Sequence, residues 1–158
     1  MGILNLQKAK YDIAEKYFRK AIQRLTAQYT TSKDAEPLYY LGVSLKAQGR
    51  LDEAFAAFYK ATWSQEWKSP AYFSLAEIAA TKGNFADALN LVNQSLDANS
   101  LNSRAYGLKS AILRHLGRGT EAVKLITFAK AKTDPLDVHF MAEQWLATKN
   151  IQSEQTLL

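Results

Sequence analysis

Gly49-Arg50-Leu51-Asp52-Glu53-Ala54 recurs as Gly83-Asn84-Phe85-Ala86-Asp87-Ala88 and again as Gly117-Arg118-Gly119-Thr120-Glu121-Ala122, each copy 34 residues after the last. A glycine, then an acid, then an alanine at fixed offsets marks one joint between two helices. The glycine supplies the positive φ of a helix exit. The acid suits the positive start of the next helix. A constant period of this size means stacked structural units rather than one globular core.

Working outward, each joint is flanked by apolar residues at helical spacing. Pro37 opens a helix whose inner face is Leu38, Leu41, Gly42 and Leu45, and Leu51 to Thr62 is its partner, with Ala54, Phe58 and Ala61 inward. Pro70, Tyr72, Leu75, Ala76 and Ala79 repeat the first helix, and Phe85, Ala88, Leu89 and Val92 the second. Tyr106, Leu113 and Leu116 lead to Gly117, followed by Ala122, Ile126 and Ala129. Upstream, Tyr11 to Gln28 reads as a helix with Ile13, Tyr17, Phe18, Ala21, Ile22 and Leu25 on its apolar face. Ile3 to Lys8 is too short to stand alone. It reads as the second half of a helix, so the chain is expected to be a piece of a longer protein. Ala14 precedes Ala54 by 40 residues, and the extra six belong in the polar connection Tyr29–Glu36.

The predicted organisation is a partial repeat over 1–34, full repeats over 35–68, 69–102 and 103–136, a capping helix over 137–150 and a tail over 151–158. The capping helix, Leu136 to Thr148, carries Phe140, Met141, Trp145 and Leu146 without a full-length partner. The tail is expected to dock or to hang free.

Hydrophobic residues at 47% and charged residues at 22% place the 158-residue chain among globular proteins. It contains no Cys, which rules out disulfides and thiolate metal sites and fits a cytoplasmic setting, although it also permits export. No apolar run is long enough to span a membrane as a helix. The net charge of +5 is uneven: residues 1–34 hold seven Lys/Arg against three acids, and 103–136 seven against two. The aromatic cluster Tyr59, Trp63, Trp67, Tyr72 and Phe73 lies elsewhere, so nucleic acid is not the expected partner. His115 and His139 are the only histidines, and neither sits in a metal or nucleophile motif, so no catalytic residue, cofactor or metal is assigned.

The period and the residues Leu38, Leu41, Gly42, Leu45, Ala54, Phe58 and Ala61 resemble the tetratricopeptide repeat family. Tyr72, Leu75, Ala76, Ala88 and Val92 match in the next copy, and Tyr106, Ser110, Leu113, Ala122, Ile126 and Ala129 in the third. Lys109 departs from the pattern by replacing a core Leu, and the family proline appears only displaced, as Pro135. The resemblance implies an all-α fold, a right-handed superhelix of antiparallel helix pairs. It implies a non-catalytic scaffold that binds a protein or peptide in a concave groove lined by the first helices. By that resemblance the groove would hold Tyr39, Val43, Lys46, Phe73, Glu77, Arg104, Arg114, Met141 and Trp145. The carboxylate clamp of chaperone-binding members is not matched: Tyr39, Val43, Ser74, Arg104 and Leu108 occupy its places, and only Arg104 is basic.

A second resemblance rests on Phe58-Tyr59-Lys60-Ala61-Thr62-Trp63, then Trp67, Ala71-Tyr72-Phe73 and Leu75-Ala76. These look like the C-terminal repeat module of bacterial proteins that carry a DUF5107 domain. It implies a structural accessory module beside a carbohydrate-associated domain, either packed on a missing N-terminal domain or forming a homodimer.

Overall fold

Gly49 ends one helix with φ 75°, Gly83 with φ 78° and Gly117 with φ 70°. At each joint two backbone bonds close the helix end. Arg50 N–H donates to Leu45 O at 3.0 Å and Gly49 N–H to Lys46 O at 3.0 Å. Asn84 and Gly83 repeat this onto Ala79 and Ala80, and Arg118 and Gly117 onto Leu113 and Arg114. This is the Schellman arrangement, which satisfies carbonyls that the helix end would leave unpaired.

A fourth copy stands at the start of the chain without a glycine. Lys10 N–H donates to Asn5 O at 2.9 Å and Ala9 N–H to Leu6 O at 3.0 Å. Ala9 takes φ 55° there, the one positive φ at a non-glycine residue among those described. After each joint comes a fully buried alanine: Ala14, Ala54, Ala88 and Ala122 are each 0% exposed. The missing side-chain bulk at these positions lets paired backbones close.

The computed structural model describes residues 1–27 and 34–156, with side chains through Lys149. Among them it is all-helical: α1 (Gly2–Gln7), α2 (Tyr11–Thr26), α3 (Glu36–Ala47), α4 (Leu51–Ala61), α5 (Lys68–Thr81), α6 (Phe85–Ala98), α7 (Ser103–His115), α8 (Gly119–Lys132) and α9 (Val138–Thr156). The chain falls into two compact units, Met1–Ile78 and Ala79–Leu158. In the first, α1 packs on α2, α2 on α3 and α3 on α4. In the second, α6 packs on α7, α7 on α8, and α9 on both α8 and α7.

Each pair closes by matching a small residue to a large one. A Cβ on Gly42 would meet the Phe58 ring at 2.7 Å, and a Cβ on Gly2 would meet the Phe18 ring at 2.7 Å. Gly2 and Phe18 therefore repeat Gly42 and Phe58 at the 40-residue offset, and α1 corresponds to the second half of α3. At the same places of a later repeat stand Ser110 and Ile126, both 0% exposed. The Ser110 hydroxyl is buried without a hydrogen-bond partner among the described residues.

Two expectations change, and a third falls largely outside the described residues. The apolar face assigned to α2 is too broad: Ala14 and Phe18 are buried, whereas Ile13, Tyr17 and Leu25 are exposed by 43%, 45% and 39%. Helix α2 is packed by α1 and α3, and six-residue α1 covers little of it. The final helix does not stop at Thr148, and the segment 151–156 assigned to a tail continues it. Phe140 and Ala147 anchor that helix at 0% exposure, while Trp145 is 58% exposed. Most of the polar connection Tyr29–Glu36 lies outside the described residues.

Candidate functional site

The expected groove residues divide between the two units. In the first unit, α3 sets Tyr39, Val43 and Lys46 on one face, because residues three and four apart share a side of a helix. The Lys46 ammonium reaches across to the Glu77 carboxylate on α5 at 2.6 Å. Both side chains are about one-third exposed, so the pair holds two first helices together at modest energy.

Tyr39 is engaged in an aromatic cluster. Its ring lies 5.4 Å from Phe58 and 4.9 Å from Trp67, and Tyr40 stacks at 5.7 Å on Phe18. Such pairs add about 1 kcal/mol each beyond their buried area. Burial and the nearby Glu36 and Tyr39 raise the Tyr40 hydroxyl above its ordinary pKa. Phe73 is a correction: it is only 8% exposed and belongs to the core, so it offers no open surface. An aromatic on a first helix satisfies a groove and a core equally in sequence, and packing decides. Of the aromatic run around the α4–α5 connection, Tyr59 and Trp63 are exposed by 52% and 67%.

In the second unit, α7 and α9 lie side by side. Arg114 donates from Nε and Nη2 to the two carboxylate oxygens of Glu143, each at 3.2 Å. A bidentate guanidinium–carboxylate pair fixes orientation as well as distance. Met141 and Trp145, one turn apart on α9, are exposed by 46% and 58%. The Lys149 ammonium sits 4.4 Å over the Trp145 ring. Arg104 is exposed and stands at the opposite end of α7 from Arg114, about 15 Å along the helix. The structure thus joins Arg114 to the helix that bears Met141 and Trp145.

Glu143 is the residue that sequence reasoning missed. Its signal was present. Lys46 and Arg114 occupy the same repeat position, and each meets an acid about one repeat later on the next first helix. The places of the carboxylate clamp are also clarified, since Ser74 is 5% exposed and cannot reach a ligand.

The joints carry charge of a different kind. Arg50 grips Glu53 with two bonds at 2.7 Å, and Arg118 grips Glu121 in the same way. Arg50 also reaches Glu15 on α2 at 2.7 Å, where Gln48 and Arg19 donate at 3.0 and 2.8 Å. Burial alone would raise the Glu15 carboxyl. The bonds from Arg19 and Gln48 and the charges of Arg50 and Arg19 outweigh it and hold the group below its ordinary pKa. Lys109, in its core-leucine place, is half-buried, and burial pulls its pKa down. Among the described residues no helix is long and apolar enough to cross a membrane.

Two family models, each described as tetratricopeptide repeat, match residues 1–68 and 45–112. Among solved structures, a tetratricopeptide repeat protein from Parabacteroides merdae matches with TM-score 0.81 at 18% identity, covering 96% of this chain and 58% of that one. The MamA protein matches with TM-score 0.77 at 16% identity, covering 96% and 79%. YrrB, described as a TPR protein with an unusual peptide-binding site, matches with TM-score 0.70 at 16% identity, covering 96% and 74%. At these identities the structures speak for the fold alone. Fold, joint geometry and family models agree: this chain belongs to the tetratricopeptide repeat family.

Proposed function

We propose that the chain is a non-catalytic interaction scaffold that binds an extended peptide or a partner domain on its first helices. The observation that carries this reading is a pair of exposed apolar side chains on α9. Met141 and Trp145 stand exposed one turn apart on α9, with the Lys149 ammonium over the Trp145 ring. Trp is among the residue types most enriched in binding hot spots, and an exposed flexible Met beside it adapts to the ligand it meets. A face of parallel first helices repeats its side chains along one direction, which suits an elongated ligand. The peptide-binding description of the structural neighbour YrrB supports the same class of ligand.

The test is selection of random dodecamer peptides by phage display on the full chain, followed by titration of the selected peptides. Trp145→Ala and Met141→Ala are expected to weaken them by about tenfold or more each. The half-exposed positions leave the helical circular dichroism unchanged. Selected peptides that bind both variants as tightly as the parent would sink the reading of this face.

A further inference from the structure

In the first unit a hollow of about 400 Å³ is bounded by α2, α3 and α4. Leu38 and Leu41 of α3 line it, with Arg19 of α2 and Ala56 and Lys60 of α4. These residues mark the places of a repeat that face this groove. Two 34-residue periods on, Leu41, Ala56 and Lys60 become Lys109, Lys124 and Phe128. The repeat between holds Leu75, Asn90 and Gln94 there. Of these three copies, this one alone puts a cation in the leucine place and an aromatic at the end of the wall. Phe128 is 54% exposed, although its ring meets Tyr106 edge-on with centroids 6.2 Å apart.

Lys109 is the group without a match. A lysine on an apolar surface ordinarily keeps its ammonium in water. Here burial is the largest influence and pulls the pKa down; the charges of Asp97 on α6 and Glu121 on α8 oppose it, and Arg118 adds to it. Lys109 forms no ion pair with a described residue, and Arg118 grips Glu121 through two bonds of 2.7 Å. A recessed charge without a partner is unfavourable, and a carboxylate brought to it removes the penalty. A second need is unmet nearby. Asn93 follows Arg19 by one 40-residue and one 34-residue step. Its side-chain oxygen is buried with no hydrogen-bond partner among the described residues.

We propose that the groove around Lys109 binds an extended segment of a partner protein through an Asp or Glu side chain, with an apolar neighbour of that residue on Phe128. The carboxylate accepts from the Lys109 ammonium, and a main-chain N–H of the segment supplies the donor that Asn93 lacks. The Lys132 ammonium, 5.4 Å over the Phe128 ring, adds positive charge at the rim. A strand of phosphates fits less well. It would carry further negative charges past Asp97 and Glu121, whereas a single side-chain carboxylate brings one. Neither Met141 nor Trp145 takes part, so this reading and that of the α9 pair stand or fall independently.

The test selects random dodecamer peptides by phage display on the full chain carrying Met141→Ala and Trp145→Ala, which removes the α9 pair. Selected peptides are then titrated by fluorescence anisotropy against the parent chain, Lys109→Leu, Lys109→Arg and Phe128→Gln. Lys109→Leu restores the residue of the two preceding repeats, and Phe128→Gln that of the one before it, so the fold tolerates both. The selected peptides are expected to place an acid next to an apolar residue. Lys109→Leu is expected to raise the melting temperature and yet weaken these peptides about tenfold. Lys109→Arg should keep most of the affinity, and Phe128→Gln should lose about fivefold. A selection that yields no peptide, or peptides without the acid, would overturn the proposal. So would peptides that bind Lys109→Leu as tightly as the parent. A short oligothymidylate that binds the parent more tightly than the peptides, and binds Lys109→Leu weakly, would give the groove to nucleic acid instead.

Discussion

Ala9 is the residue at which this chain departs from its own rule. The three later joints use glycine at positive φ, and the first uses alanine at φ 55°. A side chain in that region costs about 1 kcal/mol or more. Ala9 is exposed, so removing its methyl group loses no packing. Ala9→Gly is therefore expected to stabilise the α1–α2 joint by about 0.5 kcal/mol after the added freedom of the unfolded chain is subtracted. Slower amide exchange across α1 would show it, and unchanged or faster exchange would count against it. Gly42 makes the opposite case. Alanine is the better helix former by about 1 kcal/mol, but its methyl would press on a fully buried ring at 2.7 Å. Overpacking of this kind costs about 1–3 kcal/mol and should win. Phe58→Val alone leaves a cavity and should cost about 2–3 kcal/mol. The double variant should cost less than the sum by about 1 kcal/mol, since each change makes room for the other. Urea denaturation of the four proteins measures the coupling, and simple additivity would refute the size matching.

Between neighbouring elements, ion pairs do what the joints alone do not. Glu15 ties α2 to the α3–α4 turn through Gln48 and Arg50. Its carboxyl titrates below its ordinary value in the folded chain. The sign follows from linkage. Stabilisation by Glu15 is complete above the ordinary carboxylate pKa and is lost as pH falls through the depressed folded value. Glu15→Gln should therefore cost about 1–2 kcal/mol at neutral pH, the usual worth of charge-assisted hydrogen bonds. The gap between variant and parent should shrink as pH drops below the ordinary carboxylate value. Thermal melts from pH 7 to pH 3 would test this, and a gap that widens on acidification would contradict it. At α7, Asn102 caps the helix start by accepting from Ala105 N–H at 3.2 Å. Asp137 does the same at the start of α9, accepting from His139 N–H at 2.8 Å.

Across the whole molecule, the sequence disclosed what repeats and concealed what does not. The glycine joints, the buried alanines and the family were legible because three copies in register leave little freedom to misread them. The α2 face was misread because helical spacing marks every apolar residue alike, whereas burial depends on which neighbours are present. Phe73 was misread as surface for the same reason. Helix α9 ran past its expected end because no glycine or proline stops it after Thr148. Glu143 went unnoticed because a pair that joins two helices has no local signature until two examples are compared.

The matched sizes within each pair also bear on how such arrays can be shuffled in evolution. A crossover between the glycine joints at Gly49 and Gly117 would set Gly42 against Ile126 in one product and Ser110 against Phe58 in the other. The first leaves a void and the second a collision. A crossover in the stretch between Ala61 and Lys68 keeps Gly42 with Phe58. The heritable cassette of this architecture is thus the intact helix pair, and the joint that repeats most faithfully is the worst place to cut it.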